Sequence, residues 1–185
     1  ASSLDFSVMT EQESDPSTRN FSMRNRPFDR NLKQVSCFLT NTNSKTLSLI
    51  RANKERSPIF NGQIQGVGPR YCPSIEDKAF RYPDKDSHHV FLEPETSTFD
   101  SIYPNGISTS LPSDVQIELV RSIEGLENAD ILVNGYAVEY DVVETSALGL
   151  TLEYKDIAGL YCAGQVNGTS GYEEAAGQGF IAGAN

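Results

Sequence analysis

The stretch 66-GVGPRYCPSIEDK-78 is the feature around which the chain is organised. Its glycines let a backbone approach a ligand closely, and Pro69 and Pro73 fix the loop on either side of Cys72. Because proline suits the first turn of a helix, we expect Pro73 to open a helix whose first N–H groups point back at Cys72. Arg70 and such a helix start would lower the pKa of the Cys72 thiol. The stretch predicts either a reactive thiol in a ligand loop or a tight surface loop with a small buried cysteine.

The bulk composition is that of an ordinary globular protein. The 185 residues predict one or two domains and are enough to bury a core. Hydrophobic residues make up 38% and charged residues 22% of the chain, which is typical of soluble proteins. No apolar run reaches the length of a membrane span, and residues 1–10 lack a signal-peptide pattern. We therefore expect a cytoplasmic protein with no membrane partner.

The three cysteines, Cys37, Cys72 and Cys162, are widely spaced and odd in number. That usage predicts a reducing compartment and no disulfide framework. No Cys/His spacing predicts a metal site. The side chains of His88 and His89 would diverge on a strand, so we expect a strand edge without chemistry.

The formal net charge of −10 argues against a free-standing nucleic-acid binder. One basic stretch, residues 19–33, departs from this balance and has Asp29 as its only acid. Its cations are Arg19, Arg24, Arg26, Arg30 and Lys33. The stretch is either a solvated loop or a phosphate contact, with RNA or with a dinucleotide.

Hydrophobic periodicity predicts a mixed α and β fold in which strands outnumber helices. Strands are predicted at residues 4–8, 35–40, 90–92, 131–133 and 136–142. Helices are predicted from Ser44 to about Lys54 and behind a Ser113-x-x-Gln116 capping box. The second helix has an apolar stripe formed by Ile117, Val120 and Ile123, with Leu119 and Leu126 beside them. Residues 11–30 predict a long loop and residues 103–106 a turn.

The last 26 residues predict a strand, a glycine-rich turn and a helix. Residues 160–164 are apolar and run into Gly168 and Gly171, before a helix from Tyr172 to Asn185. Small residues on one face of this helix would let it pack closely: Ala175, Gly179 and Ala182. The arrangement predicts either a site for an anionic or strongly polar ligand or a close helix–strand contact.

Further motifs follow the opening stretch in order: 91-FLEPE-95, 103-YPNGISTSLP-112 and 164-GQVNGTSGYEEAA-176, with 56-RSP-58 before it. Together with 68-GPRYCPSIEDK-78 they closely resemble the MnmG family of tRNA-modifying flavoproteins, also called GidA. The resemblance covers the chain from about Leu4 to its end. It implies an α/β fold of α+β character. Residues 1–145 would form a mainly β inserted NAD(H)-associated domain, and residues 146–185 the returning strand–helix segment of a Rossmann-like FAD-binding domain.

The resemblance also assigns site residues. The NAD span would be Gly68, Pro69, Arg70, Tyr71, Cys72, Pro73, Ser74, Ile75, Glu76, Asp77, Lys78, Ala79, Phe80, Arg81 and Tyr82. Cys72 matches a cysteine implicated in the reaction, as a nucleophile or as a general acid. Glu76 and Asp77 would orient ribose hydroxyls or belong to a solvated first helical turn. Gln165 matches a residue that contacts FAD.

No GxGxxG follows a strand in this chain, although in the family that fingerprint holds the FAD pyrophosphate. We therefore expect a central piece of a longer protein that is inactive in isolation.

By resemblance, the longer protein would be an FAD-dependent enzyme that acts with the GTPase MnmE on tRNA. It would add a carboxymethylaminomethyl or aminomethyl group to C5 of the wobble uridine (U34), with carbon from methylenetetrahydrofolate and NADH as reductant. A homodimer is implied. Alternatively, the piece is a non-catalytic interaction domain for dimer, GTPase and tRNA contacts. A different two-dinucleotide flavoprotein reductase would need a Cys-x-x-x-x-Cys pair, which this chain lacks.

Overall fold

The structure is a computed structural model that describes residues 1–14, 24, 34–65 and 73–185. The chain divides into two compact units. The first, here called the sheet unit, comprises residues 1–57 and 73–136. The second, here called the turn unit, comprises residues 58–72 and 137–185. The predicted domain boundary at residue 145 stays a prediction.

The sheet unit contains a four-stranded antiparallel sheet in the order β1-β2-β3-β4. Its strands are β1 (Thr10–Gln12), β2 (Cys37–Asn41), β3 (His89–Pro94) and β4 (Ile102–Asn105). Leu39 of β2 lies opposite Thr10 on one side and Phe91 on the other. Because side chains alternate between the faces of a strand, Val90 and Leu92 are buried while Phe91 is exposed.

Three helices pack in the same unit: α1 (Ser44–Ala52), α2 (Ile75–Arg81) and α3 (Ser113–Arg121). Helix α1 contacts both others and is capped by Asn43, whose side chain accepts a hydrogen bond from Thr46 N. One apolar core joins the helices to the buried side chains of the sheet. It consists of Leu47, Ile50, Ile75, Ala79, Val90, Leu92, Ile107, Leu111, Val115, Leu119, Ile123, Leu126 and Ala129.

The predicted mixed α and β fold is confirmed, as are α1, β2 and β3. The strand predicted at residues 4–8 is wrong. Phe6–Val8 forms a 3₁₀ turn, because the Asp5 carboxylate accepts a hydrogen bond from Ser7 N and caps it. The predicted loop at residues 11–30 begins inside β1, and nearly all of its remainder lies outside the described residues.

The turn predicted at residues 103–106 is also wrong, because Ile102–Asn105 forms β4 at the edge of the sheet. Pro104 is compatible with that position, since an edge strand has backbone groups that need no ladder partner. The chain turns only at Gly106, whose φ is +105°.

The predicted capping box at Ser113 is wrong. Pro112 precedes α3 without a side-chain cap, and the Gln116 side chain turns to Gly135. Gln116 Nε2 donates to Leu111 O and Gly135 O, and its Oε1 accepts from Gly135 N. The predicted apolar stripe is confirmed in part. Leu119, Ile123 and Leu126 are buried and Val120 packs against the core, whereas Ile117 is exposed.

The strands predicted at residues 131–133 and 136–142 are absent, although these residues are all described. Both backbone hydrogen-bonding groups of Gly135 are bound by the Gln116 side chain, which takes the place of a strand partner. The apolar side chains there are largely exposed, with Leu132 at 74% and Val133 at 78%.

The turn unit contains helix α4 (Tyr172–Ala184) and 3₁₀ turns at Thr145–Ala147 and Gly164–Asn167. The predicted helix is therefore confirmed. The strand predicted at residues 160–164 is reduced to a single bridge between Tyr161 and Glu153. Within the described residues of both units, no helix is long and apolar enough to cross a membrane.

Candidate functional site

Five residues of the predicted NAD span lie outside the described residues: Gly68, Pro69, Arg70, Tyr71 and Cys72. The other ten form the approach to α2, the helix itself and its end. Their assignment to NAD stays a prediction. Several of these ten residues make hydrogen bonds within the sheet unit, as described below.

Helix α2 begins at Ile75 and is capped by Ser74, two residues after Pro73. Ser74 Oγ accepts from Asp77 N at 3.1 Å, and Asp77 Oδ2 accepts from Ser74 N at 3.1 Å. Ile75 N donates to Ser108 O at 2.8 Å. The backbone N–H groups of Ile75 and Asp77, in the first turn of α2, are therefore already hydrogen-bonded within the protein. Fewer N–H groups of this turn remain free to lower the pKa of the Cys72 thiol in the way that the sequence predicts.

Glu76 is fully buried. Its Oε1 accepts from Ser110 N at 3.0 Å and lies 3.4 Å from Ser110 Oγ. Its Oε2 is buried and has no hydrogen-bond partner among the described residues. Asp77 is buried as well. The alternative prediction, that Glu76 and Asp77 belong to a solvated first helical turn, is therefore wrong. The Asp77 carboxylate is used by the cap, and the role of Glu76 toward a ribose stays a prediction.

Lys78 connects α2 to the turn after β4, because its Nζ donates to Gly106 O at 2.8 Å. Burial lowers the pKa of Lys78. Nearby His88 donates through its backbone N to Thr42 Oγ1, and its Nε2 is buried without a partner among the described residues. The pKa of His88 is lowered first by burial and then by neighbouring cations, namely Lys78, Lys85, Arg51 and His89.

The end of the predicted NAD span carries a basic rim. Arg51 Nη2 donates to Pro83 O at 3.2 Å. Lys54 Nζ lies 5.1 Å from the centre of the Phe80 ring, and Lys85 Nζ lies 5.4 Å from the centre of the Tyr82 ring. One face of each aromatic ring is therefore covered by a cation of the protein itself.

The predicted FAD contact, Gln165, lies in the turn Gly164–Asn167, here called the amide turn. Gly164 has φ of +81° and the following Gly168 has φ of +91°, conformations that favour glycine. Gln178 of α4 closes the turn, because its Oε1 accepts from Gly164 N at 3.0 Å and from Asn167 Nδ2 at 3.1 Å.

Two polar atoms of the amide turn are buried without a partner among the described residues: Gln165 Nε2, a donor, and Asn167 Oδ1, an acceptor. Buried polar atoms nearly always have partners, so these two are candidates for ligand contacts. A donor and an acceptor on one short turn suit the edge of a heterocyclic ring better than they suit a phosphate, which offers only acceptors. The turn therefore fits the ring end of a flavin.

The sequence prediction named Gln165, whose role stays a prediction, and did not include Asn167 or Gln178. The sequence does contain a sign that Gln178 makes a polar contact. It is a polar residue on the half-buried face of α4, together with Ala175 and Ala182. The predicted packing face was partly wrong, because Gly179 is exposed while Gln178 takes its place.

The start of α4 binds a carboxylate of its own chain. Glu174 Oε1 accepts from Gly171 N at 2.6 Å and from Ser170 Oγ at 3.2 Å. Hydrogen bonds from the backbone N–H groups of Glu174 and Gly171 lower the pKa of this carboxyl. Because this carboxylate already faces the first turn, a polar ligand suits the turn unit better than an anionic one.

The two cysteines within the described residues are both half-buried. The pKa of Cys37 at the start of β2 is raised, first by burial and then by the charge of Glu93. Among the described residues no group of three His, Cys, Asp or Glu side chains is placed to hold a metal ion.

The chain matches known proteins along its entire length. The family model described as glucose inhibited division protein A matches residues 1–185. A Clostridium botulinum (strain Hall) protein named tRNA uridine 5-carboxymethylaminomethyl modification enzyme MnmG is 55% identical over 183 residues, which are 99% of this chain and 29% of that protein. The protein of the same name from Clostridium botulinum strain Okra gives the same values.

Two solved structures of Aquifex aeolicus GidA are similar over the whole chain. The form I crystal structure has a TM-score of 0.84 and 50% identity, and the match covers 31% of that chain. The form II structure has a TM-score of 0.79 and 46% identity, over 29% of that chain. The chain thus spans less than a third of the length of these relatives. A family model that matches every residue, with relatives at 55% identity, shows that the chain belongs to the glucose inhibited division protein A (GidA) family.

Proposed function

We propose that this chain functions in an FAD-dependent enzyme that modifies uridine in tRNA. The observation that carries the proposal is the amide turn, with its unpartnered Gln165 Nε2 and Asn167 Oδ1. The turn lies in a chain that is 55% identical to a protein named as a tRNA uridine modification enzyme. Buried polar atoms nearly always have partners, so these two atoms fit a ligand-binding turn better than a purely structural one.

FAD, when bound, supplies the redox chemistry of such an enzyme. The residues of this chain bind and orient the cofactor. Gln165 donates to the ring system, and Asn167 accepts from it. Gly164 and Gly168 supply the backbone conformation that places both amides on one short turn.

The details of the proposed reaction are those that the family resemblance implies. NADH would be the reductant and would bind along residues 68–82, and methylenetetrahydrofolate would supply the carbon for C5 of the wobble uridine (U34). Partners would be tRNA and the GTPase MnmE, in a cytoplasmic homodimer. Cys72 would act as nucleophile or as general acid. Helix α2 supports this assignment, because the Ser74–Asp77 cap fixes its first turn within the span.

A specific observation favours the second candidate, an interaction domain without chemistry of its own. Helix α4 has no buried residue and exposes Tyr172 at 73%, Phe180 at 76% and Ile181 at 45%. Apolar surface of this kind marks contacts with other protein. The FAD affinity of a full-length Gln165→Ala variant separates the two candidates, because the affinity should fall only if this piece of the chain contacts the cofactor.

The decisive test is the Cys72→Ser substitution in the full-length protein. We expect the modified nucleoside at U34 to be lost and flavin occupancy to be nearly unchanged, because Cys72 belongs to the NAD span and the flavin to the amide turn. Nucleoside analysis of tRNA and the absorbance spectrum of the purified variant measure the two quantities.

Cys37→Ser is the matched control, since burial keeps this thiol neutral and we expect both readouts to stay normal. Normal modification with Cys72→Ser would remove Cys72 from the mechanism. Loss of both readouts would make Cys72 structural. A wild-type protein without flavin and without effect on tRNA would refute the proposed function.

A further inference from the structure

The side-chain amides of Asn167 and Gln178 are hydrogen-bonded to each other in the turn unit, and Gln165 lies on the same turn as Asn167. Asn167 is only 7% exposed. Its Nδ2 donates to Cys162 O at 2.6 Å and to Gln178 Oε1 at 3.1 Å. Both hydrogens of Nδ2 are therefore in use, which fixes the orientation of the amide and turns Oδ1 away from these partners.

Gln178 connects the two ends of the amide turn through a single atom. Its Oε1 accepts from the backbone N of Gly164, the first residue of the turn, and from Asn167, the last. A side-chain carbonyl oxygen accepts two hydrogen bonds, so this oxygen is saturated by the turn alone. The two residues between these anchors, Gln165 and Val166, are held on a loop closed from α4.

We propose that Gln178 is the positioning residue of the flavin site and that Asn167 Oδ1 is a second polar contact to the flavin ring, in addition to Gln165 Nε2. This inference rests on the proposed function. The isoalloxazine edge carries a ring N–H flanked by carbonyl oxygens, which complements one acceptor and one donor. Gln178 does not touch the ring. It acts by holding Asn167 and Gly164 in the orientation that the ring requires.

The test compares three variants of the full-length protein. Gln178→Met keeps the length of the side chain and removes the acceptor oxygen. Gln178→Glu keeps the shape and an acceptor oxygen. Glu173→Gln changes an exposed residue on the same helix and serves as control. The readouts are the FAD dissociation constant, the position of the flavin absorbance maximum, the melting temperature of the apoprotein, and hydrogen exchange of the Gly164 amide.

We expect Gln178→Met to weaken FAD binding about tenfold or more, because it leaves the Gly164 N–H and the Asn167 amide without their acceptor. It should also shift the flavin absorbance maximum and speed exchange at Gly164. Gln178→Glu should stay within about threefold of wild type in FAD affinity, and Glu173→Gln should match wild type in all four readouts.

Unchanged FAD affinity in Gln178→Met would overturn the inference. So would an equal loss of affinity in Gln178→Met and Gln178→Glu with matching falls in apoprotein melting temperature, since that pattern describes a structural residue only. If the wild-type protein takes up no FAD, the proposed function fails and the flavin contact with it. Exchange at Gly164 then decides separately whether Gln178 holds the turn.

Discussion

His88 has a buried ring nitrogen, a property that its sequence context alone does not reveal. The pair His88-His89 predicts two side chains that diverge, and the structure confirms this: His89 is exposed, while Nε2 of His88 is buried. The buried nitrogen lies among cations from three elements and a loop, namely Lys78 of α2, Arg51 of α1, His89 of β3 and Lys85. Each disfavours a further positive charge.

A pH-dependent stability follows from His88. The pKa of His88 in the folded chain lies below the ordinary value of 6.5. At a pH between this lowered pKa and 6.5, the unfolded chain therefore binds a proton that the folded chain does not. The free energy of unfolding should therefore fall as the pH is lowered through 6.5. Urea unfolding of the wild type between pH 7.5 and pH 5 measures the effect, and His88→Gln should flatten it.

His89→Gln is the control for that experiment, because His89 is an exposed neighbour of the same chemistry. It should keep most of the pH dependence of the wild type, because His89 is the last and smallest of the causes that lower the pKa of His88. A His88→Gln variant with an undiminished fall in stability below pH 6.5 would show that other groups are responsible.

At the scale of elements, α2 depends on the segment that follows β4. Ile75 N donates to Ser108 O, Glu76 accepts from Ser110 N, and Lys78 Nζ donates to Gly106 O. The helix has only seven residues, too few for stability without tertiary contacts. The position of α2 is therefore set by residues 106–110, which contact it from 28 or more positions further along the chain.

Gly106 is the critical position in that segment. Its φ is +105°, and an added Cβ would lie 2.6 Å from His89 O. Both strain and clash oppose a side chain, so Gly106→Ala should destabilise the sheet unit by about 2 kcal/mol or more. Urea denaturation measures the change. Asp84→Ala, at an exposed loop position in the same unit, should change stability by less than about 0.5 kcal/mol. Equal stability of Gly106→Ala and wild type would show that the turn relaxes without cost.

Elements with a strong local pattern were predictable from sequence. Helix α1 has Leu47 and Ile50 one turn apart behind a capping residue, and α4 follows a glycine-rich turn. The errors arose where a tertiary contact decides the local structure. Gln116 matches a capping pattern and instead binds Gly135, which lies between the two strands expected at residues 131–133 and 136–142. No local periodicity encodes a contact across 19 residues.

Only part of the candidate site could be predicted from the sequence. Gln165 followed from the resemblance, whereas Asn167 and Gln178 required the hydrogen bonds that connect the amide turn to α4. For Glu76 and Asp77, the sequence left open whether they face solvent, and burial decided that they do not. Their burial depends on Ser110 and Ser74, which lie on opposite sides of the helix in sequence.

At the scale of the whole molecule, the chain corresponds to 29% of the length of its MnmG relatives. The turn unit exposes large apolar side chains, including Leu150 at 102% and Phe180 at 76%. A domain that completes its own core rarely leaves so much apolar surface in water. The amide turn, in the same unit, supplies contacts for only one edge of a ring system.

The last prediction concerns cofactor retention by the 185-residue chain alone. Dinucleotide affinity depends heavily on phosphate contacts at a glycine-rich loop and helix start, and no GxGxxG follows a strand in this sequence. The start of α4 does not substitute for it, because Glu174 already binds Gly171 N there. We therefore expect the isolated chain to purify without flavin, while the full-length protein retains it. Absorbance near 450 nm after gel filtration measures both, with the full-length Glu173→Gln variant as a flavin-retaining control. A yellow isolated chain with stoichiometric flavin would mean that the amide turn and α4 hold the cofactor by themselves.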